Sequence, residues 1–92
     1  AGPTDNVSVT GATVLKMDTS SNNVTIGGLA GGVAGQLLFV VKTNSSNSAI
    51  LENVEGGGSQ DIKLLSGADE TIANFGGWML VCDGSNWFAL GK

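Results

Sequence analysis

Ninety-two residues with a net charge of −4, 13% charged side chains and neither arginine nor histidine make one domain with a thin core, because a chain this size hides only about 60–65% of its unfolded surface. Its lysines, at 16, 42, 63 and 92, are too scattered to clamp phosphates, which argues against nucleic acid and against attachment to anionic lipid. The single cysteine cannot form an internal disulfide, and no apolar run approaches the roughly 20 residues that cross a bilayer.

Fifteen glycines and the lack of Ala-Glu-Lys-Leu runs point to turn-rich β structure. The opening "AGPTDN" has no basic region followed by an apolar stretch and no initiator Met, so the chain is expected to be a processed product or a piece of a longer polypeptide. Three N-x-[ST] triplets, at Asn6, Asn23 and Asn44, are what chance gives in a chain this rich in Asn, Ser and Thr.

Three short β-branched runs come first, Val7 to Val9, Val14 to Met17 and Val24 to Ile26, separated by Gly11 and the polar stretch Asp18 to Asn23. Five glycines between positions 27 and 35 form a bend, suited to positive φ or close chain approach. "QLLFVVK", Gln36 to Lys42, reads as a strand with two apolar faces, Leu38 and Val40 on one side and Leu37, Phe39 and Val41 on the other. A polar loop, Thr43 to Ser48, leads to a short strand in "AILENV", a glycine turn in "EGGGSQ", and a strand in "DIKLLS". Turn signals thus recur about every ten residues, the spacing of an all-β fold.

Residues 67–76 fit two patterns. Ala68, Ile72 and Phe75 at i, i+4, i+7, with Ser66 and Asp69 spaced as a weak cap, suit a short helix, whereas Thr71 to Ala73 suits a strand, which the flanking strands favour. The chain closes on "WMLVCDGSNWFALGK", a hairpin around Asp83-Gly84-Ser85-Asn86, with Trp78, Leu80 and Cys82 on one face and Met79 and Val81 on the other. A buried, inert thiol is the expected state of Cys82.

Two strands apolar on both faces, in a chain too short to wrap a second layer around them, imply that other copies of the chain supply part of the cover. The hairpin is then expected to plug a shared core. Leu38, Val40, Trp78 and Leu80 are the candidate contacts between copies.

Chemistry is sparse. Cys82 has no imidazole partner, and the carboxylates Asp69 and Glu70, Glu52 and Glu55, Asp61 and Asp83 read as solvated loop charges before they read as a glycosidase pair. No cofactor and no metal site is expected: "DTSSNN" and "DGSNW" miss the calcium-loop pattern, and Asp18, Asn22 and Asn23 suit turns better than a cation. "IGGLAGGVAGQ" matches neither glycine-rich phosphate motif. The remaining binding candidate is the hairpin tip, where Asp83, Ser85, Asn86 and Trp87 set an aromatic ring beside short polar side chains; the simpler reading packs Trp87 against Trp78 or Leu80.

"VLKMDTSSNNVTIGGL" resembles the "LxVDTxxNxVGIG" β repeat of bacteriophage tail fibres and spikes, with Val24-Thr25-Ile26 in place of Val-Gly-Ile. "GGVAGQLLFVVK", "QDIKLL" and "WMLVCDGSNWFALG" resemble the glycine turn, strands and terminal Asp-Gly-Trp hairpin of the same proteins. The resemblance implies a trimeric, all-β virion protein, its strands intertwined around one axis, acting in assembly or host attachment.

The expectation is therefore an all-β fold, a small meander of short strands and hairpins intertwined as a homotrimer. Residues 1–28 would be a shaft-like β-repeat segment and residues 29–92 a compact part ending in the hairpin, together one structural domain. It would be a fibre, spike or capsid-fibre component on the virion surface, without enzymatic activity, partnered by its own copies, other virion proteins and a host cell-surface glycan or protein. Receptor contacts would come from the loops, at Asn44, Asn47, Asp83, Ser85, Asn86 and Trp87. The alternative is a monomeric carbohydrate-binding β-sandwich of a secreted or surface-bound bacterial enzyme or adhesin, with Trp87 as a stacking platform.

Overall fold

A computed structural model of the chain describes residues 7–54 and 60–91. Asn6, Glu55, Lys92 and nearly all of the "EGGGSQ" turn lie outside the described residues. The structure is all-β, with ten short strands in three sheets among the described residues.

The strands are β1 (Val7–Ser8), β2 (Val14–Met17), β3 (Val24–Ile26), β4 (Leu29–Ala30), β5 (Leu37–Lys42), β6 (Ala49–Leu51), β7 (Ile62–Lys63), β8 (Glu70–Ile72), β9 (Gly76–Cys82) and β10 (Trp87–Gly91). Consecutive strands turn corners from sheet to sheet, so the connections coil more than they meander. β1 pairs in parallel with β4, β2 with β5 and β3 with β6, and Val7 lies opposite Leu29, Val14 opposite Phe39 and Val24 opposite Ala49, offsets of 22, 25 and 25 residues. Two turns of a three-sided coil are therefore stacked rung on rung. The chain then reverses direction. Gln60 bridges Leu29, β8 pairs with β6 and β9 pairs with β5, all antiparallel, and the β9–β10 hairpin with β7 at its edge closes the five-stranded sheet in the order β2-β5-β9-β10-β7.

Because each early strand pairs with one downstream, residue 28 marks no structural boundary. Residues 67–76 hold strand β8, one residue earlier than Thr71–Ala73. Ser66 caps no helix; its hydroxyl and N–H donate to Glu70.

Side chains at the corners hold the rungs together. The Thr19 hydroxyl donates to the Ser46 carbonyl at 2.7 Å, Asn47 Nδ2 donates to the Thr19 carbonyl at 2.8 Å, and the Ser48 N–H donates to Asn23 Oδ1 at 2.8 Å. Asn47 takes φ 58°, which Asn tolerates better than most residues. At another corner Gln36 Nε2 donates to the carbonyls of Val9 and Ala12, both at 2.8 Å.

One core fills the coil. Val9, Met17, Ile26, Leu29, Leu38, Val40, Ala49, Leu51, Ile62, Leu64, Trp78, Leu80, Cys82, Trp87 and Ala89 form a single buried cluster drawn from all three sheets. Its polar members are hydrogen-bonded, as burial demands. Glu70 accepts from Trp78 Nε1 at 2.9 Å, and Gln60 Oε1 accepts from Trp87 Nε1 at 3.0 Å. Lys42, 1% exposed, donates from Nζ to the Asn44 carbonyl.

Candidate interaction surface

The five-stranded sheet alternates cleanly. Its inner rows carry Leu38 and Val40 of β5, Trp78, Leu80 and Cys82 of β9, and Trp87 and Ala89 of β10, all buried. The outer rows carry Val14, Leu37, Phe39, Val41, Met79, Val81 and Phe88, and register places them side by side: Val14 opposite Phe39, Phe39 opposite Met79, Leu37 opposite Val81, and Val81 opposite Phe88. The register shifts between Ala89 and Gly91, a bulge that sets Leu90 on the outer side too.

Both expected faces are thus apolar, but the chain covers only one of them. Leu38, Val40, Trp78 and Leu80, expected between copies, are 0 to 2% exposed inside the chain's own core. They are corrected to core residues, because the corner strands fold back over the inner face and shield it completely. For the same reason the hairpin plugs its own chain's core.

On the outer face lies a cleft of about 750 Å³ lined by Phe39, Val41, Phe75, Gly77, Met79 and Gly91. Gly91, with nothing within 4 Å of its Cβ position, leaves part of the cleft without side chains, and Phe75, 69% exposed, is one of its lining residues. The only charges on the outer rows of the strands are Lys16, at the β2 edge, and Lys63, at the β7 edge with its Nζ 5.5 Å from the centroid of Phe88.

The polar candidates divide between two ends of this sheet. The antiparallel pairing of β5 with β9 puts residues 43–48 at one end and residues 83–86 at the other, six residues of strand apart, or about 20 Å. They form no common site. Trp87 is corrected outright: it is 0% exposed, so its ring offers no stacking platform. The register sets Trp87 opposite Cys82, and its indole binds Gln60. Asn86 is half-buried and its Oδ1 accepts the Asp61 N–H. Asn44 Oδ1 accepts the Ser46 N–H, and Asn47 is engaged with Thr19. Asp83 and Ser85 remain exposed.

Asp83 Oδ1 accepts the N–H groups of Ser85 and Asn86, both at 2.8 Å. These bonds, Asn86 first, hold its carboxyl below the usual aspartate value. A depressed folded value means that the turn bonds are fully present above the unfolded aspartate pKa and lost as pH falls through the folded one. The amide resonances of Ser85 and Asn86 are therefore expected to titrate together with a midpoint below the ordinary value of about 3.9. A midpoint at or above it would contradict the turn.

Sequence reading passed over Phe75 as part of a helical pattern and placed Phe39 and Met79 on the second apolar face without choosing them. A signal for the coil was also present: Ser-Ser-Asn occurs at 20–22 and again at 45–47, the same 25-residue offset that the β2–β5 and β3–β6 pairs keep.

Among the described residues no group of three His, Cys, Asp or Glu side chains could hold a metal ion, and no helix is long and apolar enough to cross a membrane. Compared with known proteins, the chain matches no family model, no curated protein and no solved structure.

Proposed function

We propose that this chain is a structural module of a virion, a trimeric fibre or spike domain that serves assembly and host attachment and has no enzymatic activity. The observation that carries the reading is the five-stranded sheet with apolar outer rows left open by the chain itself. Exposed apolar surface of this contiguity is a mark of protein–protein contact. The stacked coil fits the role as well, since rungs that pair with their neighbours can extend along one axis. Resemblance to phage fibre repeats supports the virion setting, and attachment falls to the exposed parts of the loops at 43–48 and 83–86.

The monomeric carbohydrate-binding reading is weakened by the burial of Trp87, which was to be its platform. Light scattering coupled to size-exclusion chromatography separates the two. A mass near three times the 9.2 kDa chain, unchanged on dilution, is the expected result, and a persistent monomer would overturn the trimer.

A further inference from the structure

We infer that the coil is built to be extended at its first rung: the open edges of β1, β2 and β3 accept one more rung of the same kind, a segment of about 22–25 residues that runs parallel to them and is continuous with this chain. The inference goes beyond the virion and trimer reading and does not depend on it.

The two ends of the coil differ. At the far end β9 and β8 pair with β5 and β6, and Gln60 bridges Leu29 of β4, all in the reverse direction, so the parallel pattern stops there. At the near end β1, β2 and β3 are each the outermost strand of their sheet, and among the described residues no strand pairs with them on that side. Val7 and Val9 donate to the carbonyls of Gly28 and Ala30, Val24 donates to that of Ser48, and the Thr13 carbonyl accepts from Phe39. A parallel ladder uses alternate residues, so Ser8, Val14, Lys16 and Thr25 turn their N–H and C=O groups to the open edge. Three such edges at one end make a template for strand addition.

The core is thinner at the same end. In the second rung Leu29, Val40 and Ala49 are 0 to 1% exposed. Their first-rung partners in register, Val7, Leu15 and Val24, are only half-buried, although they pack against the same core. Each second-rung residue has a neighbouring chain on both sides, whereas each first-rung residue has one on a single side. A stacked segment supplies the other.

A corner side chain identifies the occupant. Residues 18–23, "DTSSNN", align with residues 43–48, "TNSSNS", at the 25-residue offset of the β2–β5 and β3–β6 pairs. From the second of these corners Asn47 reaches back one rung and donates from Nδ2 to the Thr19 carbonyl at 2.8 Å. Its counterpart Asn22 is exposed, and its side chain makes no hydrogen bond among the described residues. The same tie made by Asn22 needs the corner carbonyl of a preceding rung. Because β3 passes to β4 through Gly27 and Gly28 alone, such a rung would hand its last strand on to β1 in the same way, which takes one continuous chain rather than a separate copy.

Hydrogen exchange on the 92-residue chain tests the open edge. The amides of Ser8, Val14, Lys16 and Thr25 are expected to exchange at least about tenfold faster than those of Leu15, Met17, Val24 and Ile26. Equal protection would mean that the edge is already closed and would overturn the inference; protection that appears only on concentration would assign the edge to a second copy and overturn it too. A chain with residues 7–28 duplicated between Asn6 and Val7 tests the occupant. The added rung is expected to slow the four amides to the rate of their neighbours and to raise the slope of a single urea transition. Asn22→Ala in the original rung is then expected to lower the urea midpoint of the extended chain and to leave that of the parent unchanged. An added segment that exchanges freely, with the parent's slope and midpoint, sinks the inference, as does an Asn22→Ala effect equal in the two chains.

Discussion

Trp87→Ala is expected to destabilise the fold by about 3–5 kcal/mol, a large share of what a chain this size has, since ~0.05–0.15 kcal/mol per residue gives roughly 5–14 kcal/mol in all. Trp87 is the largest fully buried side chain, at 0% exposure. Its ring lies so close to the backbone at Gly32 that a Cβ there would sit 2.4 Å from it and 2.9 Å from Cys82 Sγ. Neighbours held this tightly by the coil cannot collapse into the vacated volume. The indole N–H also supplies one of two bonds to Gln60 Oε1, the other being the Gly32 N–H at 2.9 Å. Trp87→Phe retains most of the bulk and leaves Gln60 its second donor, so a smaller loss, about 1–3 kcal/mol, is expected. Urea unfolding of both variants measures the difference. Equal and small losses would mean that the ring sits in a looser site.

Gly77→Ala is the second large effect, and its cause is steric. A Cβ at this position would lie 2.1 Å from the Val40 carbonyl oxygen and 3.2 Å from the Val41 Cα. Those are backbone atoms of β5, which no rotamer change can move. β5 and β9 pair through six residues, Leu37 with Val81 through Lys42 with Gly76, so forcing them apart disturbs the ladder at the centre of the sheet. A loss of about 3 kcal/mol, the upper part of the usual overpacking range, is expected. Gly91→Ala is the control. Nothing lies within 4 Å of its Cβ position, and a change within about 0.5 kcal/mol is expected. A Gly77 variant as mild as the Gly91 variant would show that the two strands can separate without cost.

The two sites differ in what they report. Trp87 tests the inner face, where the chain satisfies itself, and Gly77 tests the ladder that holds the outer cleft in shape.

Much of the fold was legible in the residues. β2 and β3 begin and end as the β-branched runs do, and the hairpin forms around Asp83-Gly84-Ser85-Asn86 with Trp78, Leu80 and Cys82 on one face. Such features are local: side-chain alternation follows from strand geometry alone, and an Asp-Gly turn carries its own backbone preference. The apolar character of both faces of β5 and β9 was legible for the same reason. Which face belongs to the core was not, because Leu38 and Phe39 are equally apolar and only the path of the chain around the corners decides between them.

Partner choice between strands also escaped the sequence. β-pairing across 22 to 25 residues leaves no mark in any short window, although the repeated Ser-Ser-Asn carried the period of the coil. Trp87 was misplaced by similar logic: an aromatic residue beside a polar turn suits a ligand and a core equally well, and the deciding partner, Gln60, lies 27 residues away. The sequence by itself thus determined an all-β chain, its turns and two strands with more apolar surface than the chain could cover. Only the tertiary structure decided the stacking of the coil, the burial of the inner face and the exposure of the outer one, because each depends on contacts between residues far apart in the chain.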